Sequence, residues 1–288
     1  MAKQRPKREG IMLCYPTEEG RVRRLGETFI IQPKIKGERA IVEWFGNEPV
    51  LISSYGNECK FLDHIKDKLK ALYKSIGPAP LDGELYTHGW SQEQISGILR
   101  STVNKHPDTE GLEYHIFDVR STATCKSRSL YVFNLRASKL IHTEGNPLRF
   151  VDTFWIESKN WMKFANGFVE QGYEGAILRK ETAPWEAKRT VNMLKFKPTE
   201  KDNYLVLKVN EAIDKEGMAK GMVGSFTVKA HDTDESFKVG AGKMKHSRRI
   251  ELWGLRHLIP GNYVEVKHEL IRTSGGVPVC AVAVDVIL

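Results

Sequence analysis

Apolar and polar residues alternate with a period of two in four stretches of the first two thirds of the chain, at residues 28–33, 39–44, 49–53 and 113–119. This period is typical of β-strands with one buried face. Apolar residues recur at helical spacing in residues 61–73 and 161–170, which predicts two helices. Residues 91–100 predict a further short helix, with Ser91 as its N-cap and Gln94 completing a capping box. This mixture of strands and helices predicts an α+β domain.

The last third of the chain has a different pattern, in which glycines separate five short apolar stretches at residues 205–209, 225–230, 236–239, 263–270 and 279–286. One helix is predicted at residues 248–257. Five strands and one helix in about 85 residues are typical of a small Greek-key barrel of the oligonucleotide-binding type (OB-fold), although an SH3-like barrel fits the same pattern. We therefore expect a first domain over residues 1–200, a hinge at residues 198–202 and a barrel domain over residues 201–288.

The chain has 288 residues, of which 41% are hydrophobic, and a net charge of +8. A cation excess of this size fits a polyanionic partner, because each neutralised phosphate releases counterions, but a basic protein without such a partner has the same composition. The four cysteines form no C-x-x-C pair, so neither a zinc knuckle nor a disulfide framework is predicted. The sequence contains no signal peptide and no apolar run that would span a membrane. We expect a cytoplasmic protein.

The chemically most informative stretch follows the first predicted strand, where the sequence reads Lys-Ile-Lys-Gly-Glu-Arg from Lys34 to Arg39. Lysine amines act as nucleophiles when neighbouring cations or burial lower their pKa. Lys36 and Arg39 are the cations nearest to Lys34 in the sequence, and Gly37 allows the backbone to bend. Taken alone, the stretch also fits a solvated basic strand edge.

Three later segments carry charged residues that complete a recognisable set. They contain Glu84 beside a predicted turn glycine, Glu174 and Arg179 in the run Glu-Gly-Ala-Ile-Leu-Arg, and Lys195 and Lys197 in the run Lys-Phe-Lys. In this order the segments resemble the K-x-D-G-x-R, E-G-x-x-x-R/K and K-x-K motifs of the covalent nucleotidyltransferases. The resemblance is strongest to the small, phage-type ATP-dependent DNA ligases, and it extends over most of the chain.

This resemblance implies an ATP-grasp-like nucleotidyltransferase domain followed by a C-terminal OB-fold. It also implies an enzyme that seals nicks in double-stranded DNA. In this family, AMP from ATP is attached to a lysine, is moved to the 5′-phosphate of the nick and leaves when the 3′-hydroxyl attacks. Lys34 is the matching nucleophile. The expected cofactors are ATP and Mg²⁺ (or Mn²⁺), and the expected partner is nicked DNA, bound by a monomer.

The resemblance further implies roles for the other charged residues. Lys195 and Lys197, two apart on one predicted strand, would share a face and bind the α-phosphate. Arg39 would hold the ribose. Glu174 would be the main metal carboxylate, and Glu84 would contact the ribose or a metal-bound water.

Three residues match the family's adenine and phosphate contacts. Phe117 matches the aromatic residue that stacks on adenine, although a core phenylalanine fits the same spacing. Gln32 lies where the family contacts the adenine edge. Arg189 matches an arginine near the phosphates.

Two residues depart from the family motifs. Lys36 stands where the family has an aspartate, and Glu38 is the carboxylate that could replace it. Ser54 stands where the S-R-x-G motif has the arginine expected to grip the 5′-phosphate. These departures leave two alternatives open, an RNA ligase or capping-type nucleotidyltransferase and a nick-binding protein that is impaired in ligation.

Overall fold

A computed structural model describes residue 8 and residues 10–136, 145–231, 233–270 and 277–287 of the chain. Strands and helices are mixed along the sequence, so the α+β prediction is confirmed. The chain divides into two compact units, Met1–Phe196 and Lys197–Leu288. Among the described residues, no helix combines the length and the apolar composition that crossing a bilayer would need.

The described part of the first unit contains ten strands and five α-helices. The strands are β1 (Leu13–Pro16), β2 (Thr28–Lys34), β3 (Glu38–Phe45), β4 (Glu48–Ser53), β5 (Leu81–Tyr86), β6 (Glu113–Val119), β7 (Leu148–Phe150), β8 (Phe154–Glu157), β9 (Gly175–Arg179) and β10 (Arg189–Phe196). The helices are α1 (Glu19–Leu25), α2 (Asp63–Ile76), α3 (Gln92–Arg100), α4 (Cys125–Arg136) and α5 (Trp161–Glu170).

These strands form two five-stranded sheets. One has the order β1-β10-β9-β2-β8, and the other has the order β4-β3-β5-β6-β7. Helices α1 and α5 pack on the first sheet, and α2, α3 and α4 pack on the second. The covered face of the first sheet is apolar, and Phe29 and Ile31 on β2 share a buried cluster with Leu178 on β9 and Leu194 on β10. Strand alternation therefore leaves Gln32 and Lys34 on the face that these helices do not cover.

The second unit is a closed barrel of five strands with the order β11-β12-β13-β15-β14. Its strands are β11 (Thr199–Ile213), β12 (Ala219–Lys229), β13 (Ser236–Gly240), β14 (Tyr263–Glu269) and β15 (Val282–Ile287), and α6 (His246–Gly254) lies between β13 and β14 in the sequence. The barrel interior is filled by alternate residues of the strands, among them Tyr204, Val206, Val264 and Val266. Closure pairs every strand on both sides, which removes open sheet edges.

Several predicted elements have different bounds in the structure. Residues 199–202 of the predicted hinge segment pair with residues 266–269 of β14 and so belong to the barrel ladder. Helix α2 begins at Asp63 rather than at residue 61, since Phe61 has a left-handed φ of 60°. Strand β15 begins at Val282 because the turn before it contains Cys280, with a φ of 56°. Ser91 caps α3 as predicted, accepting a hydrogen bond from the backbone of Gln94 (3.1 Å).

Candidate active site

Lys34 is the last residue of β2, where it lies directly opposite Gly175, the first residue of β9. This pairing brings the preceding residue, Glu174, against the lysine, and the backbone N–H of Glu174 donates to the Lys34 carbonyl (3.0 Å). The Lys34 ammonium forms an ion pair with the Glu174 carboxylate. The lysine side chain is one fifth exposed and the glutamate is nearly buried. A carboxylate, rather than either cation considered from the sequence, therefore holds the amine.

Gly37 is required by close packing between β3 and β5. A Cβ atom at this position would lie 2.2 Å from the Leu85 carbonyl oxygen and 2.9 Å from Cγ of Glu84. Gly83 is not the predicted turn glycine but lies within β5, where a Cβ would meet the His115 carbonyl oxygen at 2.6 Å. The two glycines let the backbone approach closely on either side of Glu84.

Glu84 projects from β5 into the neighbourhood of Lys34 and Arg39. Burial raises the pKa of Glu84 to about 7, while the positive charges of Lys34 and Arg39 and a backbone hydrogen bond from Gly37 act in the opposite direction. Desolvation penalises the charged form of any buried carboxylate. A cation that contacted Glu84 would therefore stabilise its ionised form.

Arg39 is fixed by an acid that the sequence analysis did not single out. Its guanidinium donates two hydrogen bonds to the buried Asp82 carboxylate, from Nε (2.8 Å) and from Nη2 (2.5 Å). A further N–H donates to the Met12 carbonyl. Trp185 donates its indole N–H to the same aspartate (3.0 Å). The Asp-Gly dipeptide was visible in the sequence, but Asp82 and Arg39 are 43 residues apart.

Phe117 lies on β6 with its ring beneath Arg39, whose guanidinium carbon is 5.3 Å from the ring centroid. The ring is only partly buried and packs against the edge of the core cluster of the second sheet. Its position agrees better with a ligand-facing aromatic residue than with a core phenylalanine.

Gln32 is buried, and its amide bonds are made inside the protein. Its Nε2 donates to the Phe117 carbonyl (3.1 Å) and to the Thr153 hydroxyl (2.9 Å), while its Oε1 accepts from Arg179 (3.3 Å). Both N–H groups are thus used inside the protein, and the expected contact of Gln32 with the adenine edge stays a prediction. Its bonds position the strand that carries Phe117.

Lys195 reaches the same face as Lys34 through the strand register. It lies opposite Ile177 on β9, which in turn lies opposite Gln32 on β2. Directly opposed residues of antiparallel strands share a face, and so do residues two apart on one strand. Because neighbouring strands are about 4.8 Å apart, the backbones of β10 and β2 are separated by roughly 10 Å. This separation leaves room for a phosphate between the two ammonium groups.

Lys197 does not lie on the strand that carries Lys195. Strand β10 ends at Phe196, and Lys197 belongs to the second unit, where its ammonium pairs with Glu269 of β14 (2.8 Å). Lys197 is one residue beyond the end of β10, and β11 begins only at Thr199, so the expectation that the two lysines share one face stays a prediction.

Arg189 lies at the far end of β10 from the lysine site. It precedes Lys195 by six residues on the same strand, which is roughly 20 Å at about 3.3 Å per residue. Its side chain is exposed, donates to the Cys14 carbonyl (2.5 Å) and lies over the Tyr15 ring. The structure therefore excludes Arg189 from the cluster around Lys34.

The two departures from the family motifs have different surroundings. Lys36 is partly exposed, and Glu38 accepts a hydrogen bond from Ser96 on α3 (2.7 Å). Ser54 is 3% exposed, so an arginine at this position would have to bury its charge. A cation nevertheless reaches this turn, since Arg8 lies over the ring of Tyr55.

Behind the site, two arginines share one buried aspartate. Asp118 accepts from Arg128 Nε (2.9 Å) and forms an ion pair with Arg179, and all three side chains are at most 3% exposed. Arg179 also donates to the Phe117 carbonyl (3.3 Å). The arginine of the E-G-x-x-x-R run is thus a positioning residue. Arg128 carried no sequence signal, because one arginine in a helix is common.

The side chains around Lys34 are of the types that would bind the metal ion and the nucleotide implied by the family motifs. Magnesium and manganese prefer carboxylate oxygens and often bind through one or two of them plus substrate phosphates. Glu174 and Glu84 supply such oxygens beside Lys34, and burial of Glu84 leaves a carboxylate that a cation would stabilise. The partly exposed ring of Phe117 offers a stacking surface, and Lys195 offers a phosphate contact.

Comparison with known proteins agrees with this arrangement. The family model described as the ATP dependent DNA ligase domain matches residues 11–197. A DNA ligase of African swine fever virus is 32% identical over 165 residues, covering 54% of this chain and 38% of the viral protein. A DNA ligase of Haemophilus influenzae is 28% identical over 174 residues, covering 59% of this chain and 60% of that protein. The chain thus spans about two fifths of the length of the viral relative.

A solved structure of a Lig E DNA ligase, described as binding DNA with a minimal scaffold, superposes with a TM-score of 0.70 at 22% identity. The match covers 97% of this chain and 99% of that structure, which shows a shared fold over both units. The family model covers well over half of the residues, including those that surround Lys34. This chain therefore belongs to the ATP-dependent DNA ligase family.

Proposed function

We propose that the chain is an ATP-dependent DNA ligase that seals nicks in duplex DNA through an AMP adduct on Lys34. The observation that carries this proposal is the convergence of Lys34 on β2, Arg39 on β3, Glu84 on β5 and Glu174, which directly precedes β9. Phosphoryl transfer depends mostly on positioning and charge stabilisation, and this cluster offers both.

In the first step, the Lys34 ammonium passes a proton to the Glu174 carboxylate with which it is paired, and the neutral amine attacks the α-phosphorus of ATP. A phosphorus–nitrogen bond forms, the bond to the β-phosphate oxygen breaks, pyrophosphate leaves with its electron pair, and the nitrogen gives up its extra proton to the departing pyrophosphate. Glu174 holds Nζ at the end of β2 before the attack. Lys195, on the same sheet face, neutralises charge on the α-phosphate. A bound divalent cation, held by Glu174 and Glu84, would stabilise the negative charge that develops in the transition state.

Phe117 and Arg39 would hold the nucleoside. Phe117 stacks on the base, and Gln32 and Arg179 hold its strand in place. Arg39, oriented by Asp82 and lying over Phe117, is within reach of the ribose. In the later steps, AMP passes to the 5′-phosphate of the nick and leaves when the 3′-hydroxyl attacks.

The second unit supports the assignment of a C-terminal OB-fold domain. A closed five-stranded barrel with one helix between the third and fourth strands supports this assignment, and OB-folds commonly bind oligonucleotides. We propose that the first unit is the adenylation domain, that the barrel contributes to DNA binding, and that the protein acts as a monomer.

The test is intact-mass measurement after incubation with ATP and magnesium, combined with a nick-sealing gel. The unchanged protein should gain one AMP and seal a nick. Lys34→Ala should gain nothing, because alanine lacks the amine that Glu174 holds at the end of β2. Lys36→Ala, two residues away and partly exposed, is the matched control and should keep the adduct.

The same experiment separates the alternatives. A GMP adduct formed from GTP would indicate a capping-type enzyme. An AMP adduct without sealing of DNA would indicate an RNA ligase or a protein impaired in ligation. An AMP adduct that persists in Lys34→Ala would show that the nucleophile has been misassigned.

A further inference from the structure

A cluster of three metal-ligand side chains lies in the barrel, outside the site around Lys34. Glu200 and Asp202 are two apart near the start of β11, and His268 is near the end of β14, directly opposite Glu200. The three therefore share one face. It is the inner face, because Tyr204 and Val206 continue it into the barrel core. The ligand atoms of the three side chains all lie within 4.8 Å of one another.

The hydrogen bonds of His268 constrain what lies between it and Asp202. Nδ1 is 2.7 Å from the Glu269 carbonyl oxygen, which can only accept, so Nδ1 carries a hydrogen. In the neutral ring, Nε2 then carries a lone pair. That lone pair faces the Asp202 carboxylate oxygen at 2.9 Å. Two acceptors at this distance need a cation between them, either a second ring proton or a metal ion.

The surroundings favour a metal ion of a particular kind. Metal-binding histidines almost always donate their other N–H to a carbonyl or a carboxylate, which fixes the lone pair toward the metal. His268 is 1% exposed and already has this arrangement. Ligand atoms bound to tetrahedral zinc at about 2.1 Å are roughly 3.4 Å apart, so binding needs the His268–Asp202 separation to widen by only about half an ångström.

We propose that Glu200, Asp202 and His268 bind a divalent transition-metal ion, with zinc the best match to one imidazole and two carboxylates. Glu200 is exposed, which leaves the remaining coordination position open to water. The Tyr204 hydroxyl donates a hydrogen bond to the Asp202 carboxylate (3.5 Å). The metal links the first residues of β11 to the last residues of β14. It is separate from the magnesium chemistry proposed for Lys34.

The experiment uses the full-length protein after treatment with a chelator. Cobalt(II) is titrated and followed by its visible absorption, and zinc(II) binding is measured by calorimetry. The unchanged protein should bind one equivalent with a d–d spectrum. His268→Gln should abolish that spectrum, and Glu200→Gln should weaken zinc binding by roughly 10-fold or more, in line with the effects of altered metal surroundings.

His231→Gln is the matched control, since this exposed histidine stacks on Tyr204 but lies outside the ligand cluster. It should bind zinc as the unchanged protein does. Because the buried His268→Gln variant risks misfolding, Glu200→Gln decides the outcome, as the exposed side chain is replaced by one of the same size.

Two results would overturn the proposal. One is equal zinc affinity for the unchanged protein and Glu200→Gln. The other is a nitrogen NMR spectrum in which His268 stays doubly protonated in excess zinc. The latter would show that a proton, in an imidazolium–aspartate pair, occupies the position between the two side chains.

Discussion

Individual side chains around Lys34 fall into two groups. The first group consists of the charged side chains that would contact the ligands, Lys34, Glu174, Glu84 and Lys195. The second group consists of polar side chains that hold the first group in position. Asp82 belongs to the second group, because it accepts from both Arg39 and Trp185 while being fully buried. If the carboxylate is removed, the buried guanidinium stays charged and no negative group offsets the cost of burying that charge.

Asp82→Asn should therefore lower the free energy of unfolding by about 3 kcal/mol, since breaking a buried ion pair leaves an uncompensated charge. Chemical denaturation measures this loss. The control is Asp152→Asn, which removes an exposed ion pair with Arg136 (2.7 Å) and should cost less than about 1 kcal/mol. Equal denaturation midpoints for the two variants would contradict the assigned role of Asp82.

Thiol reactivity is a second property set by single residues. Burial raises the pKa of Cys59 to about 12, with the negative charges of Glu38 and Glu58 adding to the effect, and burial also raises the pKa of Cys125. Since the thiolate is the reactive form, both should stay unmodified by a thiol reagent at pH 8 in the folded protein. Cys14 and Cys280, which are partly or fully exposed, should react.

Raising the pH to 9 should accelerate only the two accessible thiols, because that pH remains far below the pKa of Cys59. Mass spectrometry of modified peptides gives the result, and denatured protein, in which all four cysteines react, is the control. Rapid native labelling of Cys59 would show that its environment is more open than the structure indicates.

At the level of elements, the connection between β2 and β3 brings Lys34 close to Glu84. Gly37 allows this, because the backbone at that point touches β5. Gly37→Ala should cost roughly 1–3 kcal/mol of stability through overpacking. It should also slow AMP adduct formation, because the methyl group would displace Leu85 and Glu84.

Gly97→Ala provides the matched control for this variant. Gly97 lies in α3 with open space around it, so alanine there should stabilise the protein by about 0.5–1 kcal/mol. Thermal unfolding and the rate of mass gain with ATP measure both variants. An adduct rate in Gly37→Ala equal to that of the unchanged protein would argue against tight packing at this connection.

At the level of the whole molecule, the net charge of +8 is the property that bears on DNA. Lysine and arginine contacts to phosphates position a protein without reading sequence. If about five phosphates are neutralised, the logarithm of the DNA affinity should fall with the logarithm of salt concentration with a slope of about −4 to −5. Fluorescence anisotropy with a labelled nicked duplex gives this slope.

Two nicked duplexes of unrelated sequence serve as the control and should give the same slope and similar affinities. A flat response to salt would refute the electrostatic account. The affinities for phosphorylated and unphosphorylated nicks should also be compared, since the family's phosphate-binding arginine is replaced here by the buried Ser54, and Arg8 lies over the neighbouring Tyr55 ring.

Local sequence determined much of this protein. Alternation and helical spacing depend on near neighbours, so four of the ten strands of the first unit (β2, β3, β4 and β6) and the capped helix α3 were predicted within a few residues. The ordered motifs around Lys34, Glu174 and Lys195 identified the family, because each lies on a short segment whose chemistry is visible in its own residues. The strands of the barrel were also found, although β11 is longer than its apolar stretch.

Tertiary structure decided which of these residues meet. Arg39 and Asp82 are 43 residues apart, and Gln32 and Arg179 are 147 apart, so no local pattern predicts either pair. Arg189 and Lys195 lie on one extended strand, β10, and it is this extended conformation that keeps them apart. The cluster of Glu200, Asp202 and His268 likewise exists only because barrel closure pairs the first strand with the fourth. Pairing between distant strands depends on the summed packing of the whole core, which single-residue patterns do not encode.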